Sequence, residues 1–262
     1  MSAVLYETRD SLAVITLNRP AALNSLDRAM IDGLRAATER AAHDAAVRVV
    51  LIQSAGEHFM AGGDLKWFRE EIDGRHPDID AAFQRTIDEV HASTLAIRAM
   101  NKPVIAAVQG AVAGYGLSLM MACDFALAAD SAYFTLAYCH IGLSPDGGAT
   151  WSLPRLVGLR KATELALLGE RFDAATAATL GLVNRVVPAA QLSAEAATLA
   201  ARLAKGPAAA LARTKALLNA SFDRSLEAQL SAEKLAFAAC AAEPDFAEGL
   251  AAFAEKRKPK FA

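Results

Sequence analysis

Two glycine turns are the segments of this sequence whose residue types and spacing best suit chemistry. They are Gly62-Gly63-Asp64-Leu65 and Gly114-Tyr115-Gly116-Leu117, and each is predicted to open a helix. The first backbone N–H groups of a helix have no partner within it and favour nearby negative charge. Two such turns that face each other would form an oxyanion hole, whereas a single one is more often only a turn.

Several other motifs are incomplete in this sequence. Gly114-x-Gly116 lacks the third glycine of a dinucleotide fingerprint, and no Gly-Lys-Ser/Thr follows a glycine loop. The segment around Ser118, Gly116-Leu117-Ser118-Leu119-Met120, lacks the second glycine of a nucleophile elbow. The five histidines have no HExxH spacing, so the sequence predicts no metal site. The three cysteines form no CxxC pair and the N-terminus has no secretory pattern, which favours a reducing, cytoplasmic setting.

Composition indicates a folded protein that acts on a small molecule. The 262 residues are 54% hydrophobic and 21% charged, typical of one large domain or two small ones. A net charge of −2 gives no basic field for nucleic acid. Residues 103–123 carry no charge and are long enough for a membrane span, but Pro103 and the internal glycines favour a buried strand, a turn and a buried helix.

The positioning elements alternate between strand and helix. Strands are predicted at 4–8, 12–17, 47–53, 103–108, 125–129 and 182–187, and helices from Asp27 and at 81–99, 117–123, 150–157 and 161–168. The alternation favours an α/β fold with buried parallel strands. A polar loop is expected at 69–80. From Gln191 the chain is helical and rich in alanine, so we divide it into a core, 1–190, and a helical region, 191–262.

A set of ordered motifs resembles the crotonase (enoyl-CoA hydratase/isomerase) superfamily. They are Phe59-x-Ala61-Gly62-Gly63-Asp64-Leu65, Lys102-Pro103-Val104-Ile105-Ala106-Ala107-Val108-x-Gly110-x-x-x-Gly114-x-Gly116, Cys123-Asp124, and Ile141-Gly142-Leu143-x-Pro145-x-Gly147-Gly148. The resemblance implies a spiral of ββα units with a C-terminal helical region used for trimerisation. It also implies acyl-CoA thioesters as substrates, no separate cofactor, no nucleic-acid or membrane partner, and a homotrimer or dimer of trimers.

The resemblance assigns site residues position by position. The two oxyanion-hole amides fall on Gly63 and Tyr115. The substrate and CoA path falls on Ala22, Leu23, Asn24, Ala61, Gly62, Asp64, Leu65, Gly114 and Gly142. We expect Trp67, Phe68, Phe83 and Leu136 to shape the acyl pocket.

The catalytic carboxylates depart from the hydratase pattern. The two glutamates that hydratases use fall on Ser118 and Tyr138, which are poor general bases near neutral pH. Asp146 stands where several isomerases of the superfamily carry their catalytic acid, and 141–159 most resembles the ring-epoxide isomerases of phenylacetyl-CoA degradation. The sequence therefore predicts an enoyl-CoA isomerase that uses Asp146, unless Asp146 is only a turn or N-cap residue.

Other functions remain open at this point. The combination of His91, Asp146 and Tyr138 resembles the arrangement in the aryl-CoA dehalogenases of the same superfamily. In those enzymes an aspartate is the nucleophile and a histidine activates water. A hydratase with atypical acid/base residues, and an acyl-CoA binding protein that has lost catalysis, are the remaining alternatives. We expect a role in fatty acid or phenylacetate metabolism.

Overall fold

The computed structural model describes residues 2–74 and 78–261. Its strands are β1 (Val4–Arg9), β2 (Leu12–Leu17), β3 (Val49–Ser54), β4 (Val104–Val108), β5 (Ala111–Ala113), β6 (Phe125–Ala129), β7 (Tyr133–Thr135), β8 (Phe172–Asp173) and β9 (Arg185–Val187). Its helices are α1 (Arg28–His43), α2 (Leu65–Asp73), α3 (Ile79–Ala99), α4 (Tyr115–Ala122), α5 (Ala149–Val157), α6 (Leu159–Leu168), α7 (Ala174–Thr179), α8 (Leu192–Ala204), α9 (Ala208–Ala220), α10 (Leu226–Ala241) and α11 (Pro244–Ala254).

The main sheet has the order β1-β2-β3-β4-β6-β9. The strands expected at 4–8 and 12–17 are β1 and β2, which form an antiparallel hairpin, and the pairings of the main sheet from β2 to β9 are parallel. Alternate residues of β3 and β4 enter separate hydrophobic clusters on the two faces of the sheet. Helices cover both faces, as is usual for parallel strands. The expected α/β fold with buried parallel strands is confirmed.

A second, smaller sheet of β5, β7 and β8 was not predicted from the sequence. Its strands have two or three residues, too short to show an alternating pattern. β5 lies in the part of 103–123, between the predicted strand and helix, that we expected to be only a turn. It pairs with β7 in parallel and forms a bridge from Val112 to Met60. This bridge connects the two glycine turns.

The uncharged segment 103–123 contains β4, β5 and α4, and every residue of α4 is buried. Within the described residues, no helix is long and apolar enough to cross a membrane. The lack of charge is explained by burial on all sides.

The prediction of a polar loop at 69–80 is wrong for residues 69–73, which are helical. α2 continues through Asp73, and α3 begins at Ile79, while 75–77 lie outside the described residues. Two side-chain pairs with helical spacing explain the continuation: Trp67 Nε1 donates to Glu71 at 3.0 Å, and Arg69 pairs with Asp73 at 2.8 Å.

The helices after residue 190 differ in how they pack. α8 covers one face of the main sheet through Leu192, Ala196 and Ala200. α9 is joined to the core by the Lys215–Asp124 ion pair, 2.7 Å long. α10 and α11 keep large apolar side chains exposed, including Phe237 and Phe253. The division at residue 190 and the role in trimerisation stay predictions.

Candidate active site

The two glycine turns lie side by side. Met60 accepts a hydrogen bond from the Ala113 amide at 2.9 Å and donates one to Ala111 at 3.0 Å. Gly62 and Gly114 both have positive φ, +90° and +52°. A Cβ added to Gly114 would lie 3.2 Å from the Gly62 Cα, so only glycine allows this approach of the two backbones.

The amides that follow these glycines are free to bind a ligand. Among the described residues, neither the Gly63 N–H nor the Tyr115 N–H has a hydrogen-bond acceptor. Tyr115 is the first residue of α4, where an amide has no partner inside the helix. The neighbouring amide of Asp64 is bonded to Leu26 at 2.8 Å, which fixes the first turn. The two predicted oxyanion-hole amides therefore lie on adjacent, rigid turns.

Both turns open into a cavity of about 550 Å³. Its wall is mostly apolar and includes the predicted residues Ala61, Gly62, Gly63, Leu65, Trp67, Phe68, Phe83, His91, Gly114, Tyr115, Tyr138 and Asp146. Asp146 is the only carboxylate among the described residues that line it. The size and the few polar groups are typical of a small-molecule site.

Asp146 is held on a short loop between the helical turn 138–141 and α5. The Tyr138 hydroxyl donates to Asp146 Oδ1. The Ser118 Oγ, at the buried core of α4, donates to the backbone oxygen of Asp146 at 2.9 Å. Ser118 and Tyr138, which occupy the two hydratase glutamate positions, thus both contact Asp146, which occupies the isomerase position.

Burial raises the pKa of the Asp146 carboxyl above its usual range, although the hydrogen bond from Tyr138 acts in the opposite direction. Burial, together with the Asp146 charge, raises the pKa of Tyr138, so its phenol stays protonated near neutral pH. A carboxylate with a raised pKa can both accept and return a proton near neutral pH, whereas the phenol acts as a hydrogen-bond donor.

Asp146 does not cap the helix that follows it. α5 begins at Ala149, its N-cap position is Gly148, and no side chain caps it. The interpretation of Asp146 as an N-cap residue is therefore wrong. Its carboxyl faces Tyr138 and the cavity instead.

His91 is bonded in a way that limits its use as a base. Its Nε2 lies 3.2 Å from the Gly147 N–H, which donates to it. A neutral imidazole that accepts at Nε2 carries its proton on Nδ1, and it then has no lone pair left for water. This arrangement disfavours water activation by His91, as the dehalogenase-like mechanism would require.

The ring of Tyr115 is directed towards α3. Its hydroxyl donates to the backbone oxygen of Val90 at 3.3 Å and lies 3.4 Å from the Thr94 hydroxyl. Gly147, with φ +61°, packs against this ring, and a Cβ there would lie 2.6 Å from two ring carbons. Gly147 was quoted from the sequence only as part of the motif that ends in Gly147-Gly148, without a role of its own, and Thr94 was not singled out.

Several predicted positions do not line the cavity. Asn24 is fully buried, and its side chain accepts from Arg19 at 2.7 Å and donates to Ala55 and His58 at 2.9 and 2.7 Å. Asp64 caps α2 and pairs with Arg19 at 3.1 Å. The polar groups of Asn24 and Asp64 are already bonded within the chain. These side chains therefore support the first glycine turn and do not face the cavity.

The remaining predicted positions lie at the edge of the site or behind it. Ala22 and Leu23 form the end of a short helical turn, and Leu23 accepts from the Ala61 amide at 3.1 Å. Gly142 ends the helical turn at 138–141 in an exposed position. Leu136, expected in the acyl pocket, is buried in the hydrophobic core, so that assignment is wrong.

Comparison with known proteins agrees with this geometry. The profile of the enoyl-CoA hydratase/isomerase family matches residues 7–262. The 1,2-epoxyphenylacetyl-CoA isomerase of Escherichia coli is 34% identical over 261 residues, which cover 100% of this chain and 98% of that protein. The 2,3-dehydroadipyl-CoA hydratase of the same organism is 35% identical over 261 residues, covering 100% and 99%.

Solved structures extend this likeness to the whole fold. The crystal structure of an enoyl-CoA hydratase from Polaromonas sp. JS666 matches with a TM-score of 0.92 at 36% identity, covering 99% of each chain. Among similar proteins, hydratase names are more frequent than isomerase names. An isomerase and a hydratase are similar to this chain at nearly the same identity, 34% and 35%.

Proposed function

The chain belongs to the enoyl-CoA hydratase/isomerase family and has its crotonase-like α/β fold, and we propose that it is an isomerase that moves the double bond of an enoyl-CoA. The observation that carries the proposal is the single carboxylate of the cavity, Asp146, to which Ser118 and Tyr138 both donate. Hydration in this family needs two carboxylates, whereas a double-bond shift needs one base that takes and returns a proton.

The reaction begins when the carbonyl oxygen of the thioester accepts hydrogen bonds from the amides of Gly63 and Tyr115. Asp146 removes a proton from the carbon next to the thioester, and the negative charge moves onto the oxygen as a dienolate. The protonated Asp146 then returns the proton two carbons further along the chain, which leaves the double bond conjugated with the thioester. The proton is conserved, and neither water nor an added cofactor takes part.

The magnitudes fit this division of roles. Each oxyanion-hole donor contributes about 3 kcal/mol, and a positioned general base about 10²- to 10⁴-fold. The two free amides lower the energy of the dienolate. Burial of Asp146 strengthens it as a base, because its pKa is raised.

The acyl group is expected to be apolar. Trp67 and Phe68 lie with ring centroids 5.5 Å apart, and Phe68 meets Phe83 edge-on at 5.7 Å. All three line the cavity. We propose linear 3-enoyl-CoA and the ring epoxide of phenylacetyl-CoA, the substrate type in the name of one relative, as the first compounds to test. The trimer and the cytoplasmic location belong to the same proposal.

The test compares Asp146→Asn with a matched control, Asp88→Asn, which removes an exposed carboxyl from α3. With 3-enoyl-CoA, the first variant is expected to lose at least about 10²-fold in kcat while it still binds the thioester, because only the base is lost. The control is expected to keep the rate of the unmodified protein.

Three outcomes would contradict the proposal. Fast hydration of 2-enoyl-CoA without isomerisation would identify an atypical hydratase. An acyl group bound covalently to Asp146, with release of a halide or free acid, would identify the nucleophilic alternative. Thioester binding by calorimetry, with no turnover of any compound, would identify a binding protein.

A further inference from the structure

A second cavity, of about 470 Å³, lies apart from the candidate active site. It is lined by the ends of α3 and α4, by α5, by the loop 181–184 and by α9, and it is open to solvent on one side. It shares no lining residue with the first cavity among the described residues. Its volume lies in the range of small-molecule sites. The reaction proposed above does not use it.

Positive charge exceeds negative charge in this cavity. The charged side chains that line it are Arg98, Arg155, Lys215 and Asp124. Lys215 is buried and bonded to Asp124 at 2.7 Å and to the backbone oxygens of Ile97 and Lys102 at 2.9 and 3.0 Å. The ammonium of Lys215 thus has all three of its donors bonded, and the carboxylate of Asp124 is taken by this pair.

Arg98 lacks a carboxylate partner. Its Nη2 donates to the neutral Asn219 Oδ1 at 2.5 Å, and no carboxylate of the described residues lies within ion-pair distance of it. Burial lowers the pKa of Arg98, an effect only partly offset by the more distant Asp124. A guanidinium ion in apolar surroundings without an anion is costly. An anionic ligand would reduce that cost.

Arg155 makes only one, long contact with a carboxylate of the described residues. Its Nη1 donates to the Trp151 backbone oxygen at 2.9 Å, and its contact with Asp223 is long, 3.5 Å. Its Nε is buried and has no hydrogen-bond partner. The guanidinium carbons of Arg155 and Arg98 lie 4.0 and 5.1 Å from the centre of the Trp151 ring. The two guanidinium groups therefore flank the same aromatic ring.

The rest of the wall is largely apolar, with Met120, Met121, Leu182, Leu218 and Phe222 among its members. We propose that this cavity binds an apolar monocarboxylate, a fatty acid of medium chain length. Its carboxylate would bind the guanidinium groups of Arg98 and Arg155 beside the Trp151 ring, and its chain would lie along the methionine and leucine side chains. Guanidinium groups match the geometry of a carboxylate, and the apolar wall suits an apolar chain.

The chain offers a convenient test, because it has two tryptophans, one in each cavity. The variant Trp67→Phe leaves Trp151 as the only indole. Titration of this variant with decanoate is expected to change the Trp151 fluorescence in a saturable way. Decanol, which has the same chain without the charge, is expected to bind at least about tenfold more weakly.

Arg98→Gln in the Trp67→Phe background is expected to weaken decanoate binding at least about tenfold. Arg171→Gln is the matched control, because Arg171 stacks on Tyr133 outside this cavity. Circular dichroism verifies that each variant folds. If Arg98→Gln does not fold, Arg155→Gln provides the same test.

The proposal would be overturned by the absence of a saturable change in the Trp151 fluorescence, by equal binding of decanol, or by unchanged decanoate binding in both arginine variants. A Trp151 signal that depends on protein concentration without ligand would also overturn it, because a second copy of the chain would then cover the cavity.

Discussion

Replacement of Tyr138 by phenylalanine tests how the site controls its base. The Tyr138 hydroxyl donates to Asp146 Oδ1, so it stabilises the ionised carboxylate relative to the protonated acid. Hydrogen bonds to charged groups contribute about 1.5–3 kcal/mol. Since about 1.4 kcal/mol corresponds to a tenfold change in an equilibrium constant, their loss should raise the pKa of Asp146 and move the acid limb of kcat/KM upward by about 1–2 pH units.

The assay is the pH dependence of kcat/KM for 3-enoyl-CoA isomerisation. Below the limb, Tyr138→Phe should be about 10- to 100-fold slower than the unmodified protein at the same pH. Above the limb, both should reach a similar plateau, because the base is intact and is slightly stronger. Tyr133→Phe is the control, since Tyr133 lies in β7 and does not line the cavity.

Two results would refute this reasoning. A limb that stays in place, or moves to lower pH, would show that Tyr138 does not stabilise the ionised form of Asp146. A plateau that falls by about 10²-fold or more would show that the phenol itself transfers a proton in the reaction.

Three further changes follow from the geometry of the site. Asp146→Asn should raise thermal stability at pH 7, because a raised folded-state pKa means that ionised Asp146 destabilises the fold. Thermal melts should show that this gain in stability vanishes below about pH 4, where the acid is protonated in both the folded and the unfolded state. A gain in stability that does not depend on pH would contradict this prediction. Gly114→Ala should lower kcat about 10²- to 10³-fold, because its Cβ would displace Gly62 and separate the two free amides. The control is Gly158→Ala, at a glycine with φ +78° whose Cβ would lie in open space. It should lower stability and leave kcat unchanged. Ser118→Ala should lower kcat about fivefold with KM unchanged, from the loss of about 1 kcal/mol of hydrogen bonding to the Asp146 loop, and a change in KM alone would exclude this role.

The elements that position the site were largely predictable, because their signals are local. The hairpin of β1 and β2 alternates in hydrophobicity, and the helix after Asp27 has a clear N-cap, whose side chain accepts from the Met30 amide at 2.9 Å. Glycine marked both turns, since their positive φ values require it. The resemblance to a family then placed Gly63 and Tyr115 at one site.

The contacts inside the site could not be predicted, because they join residues that are distant in the sequence. Ser118 and Asp146 are separated by 28 positions, and His91 and Gly147 by 56. Asn24 shows the same limit in another way. Its type fits a binding residue, but three backbone bonds occupy its side chain, and only the fold reveals them.

The packing of Ser118 against Gly147 has a consequence for evolution. A Cβ on Gly147 would lie 2.9 Å from the Ser118 Cβ, so the space between α4 and the Asp146 loop is already filled. A glutamate at position 118 would displace this loop, together with the hydrogen bond that holds it. We therefore expect that a glutamate at position 118 requires a different Asp146 loop, so that the two chemistries are separated by more than a single substitution.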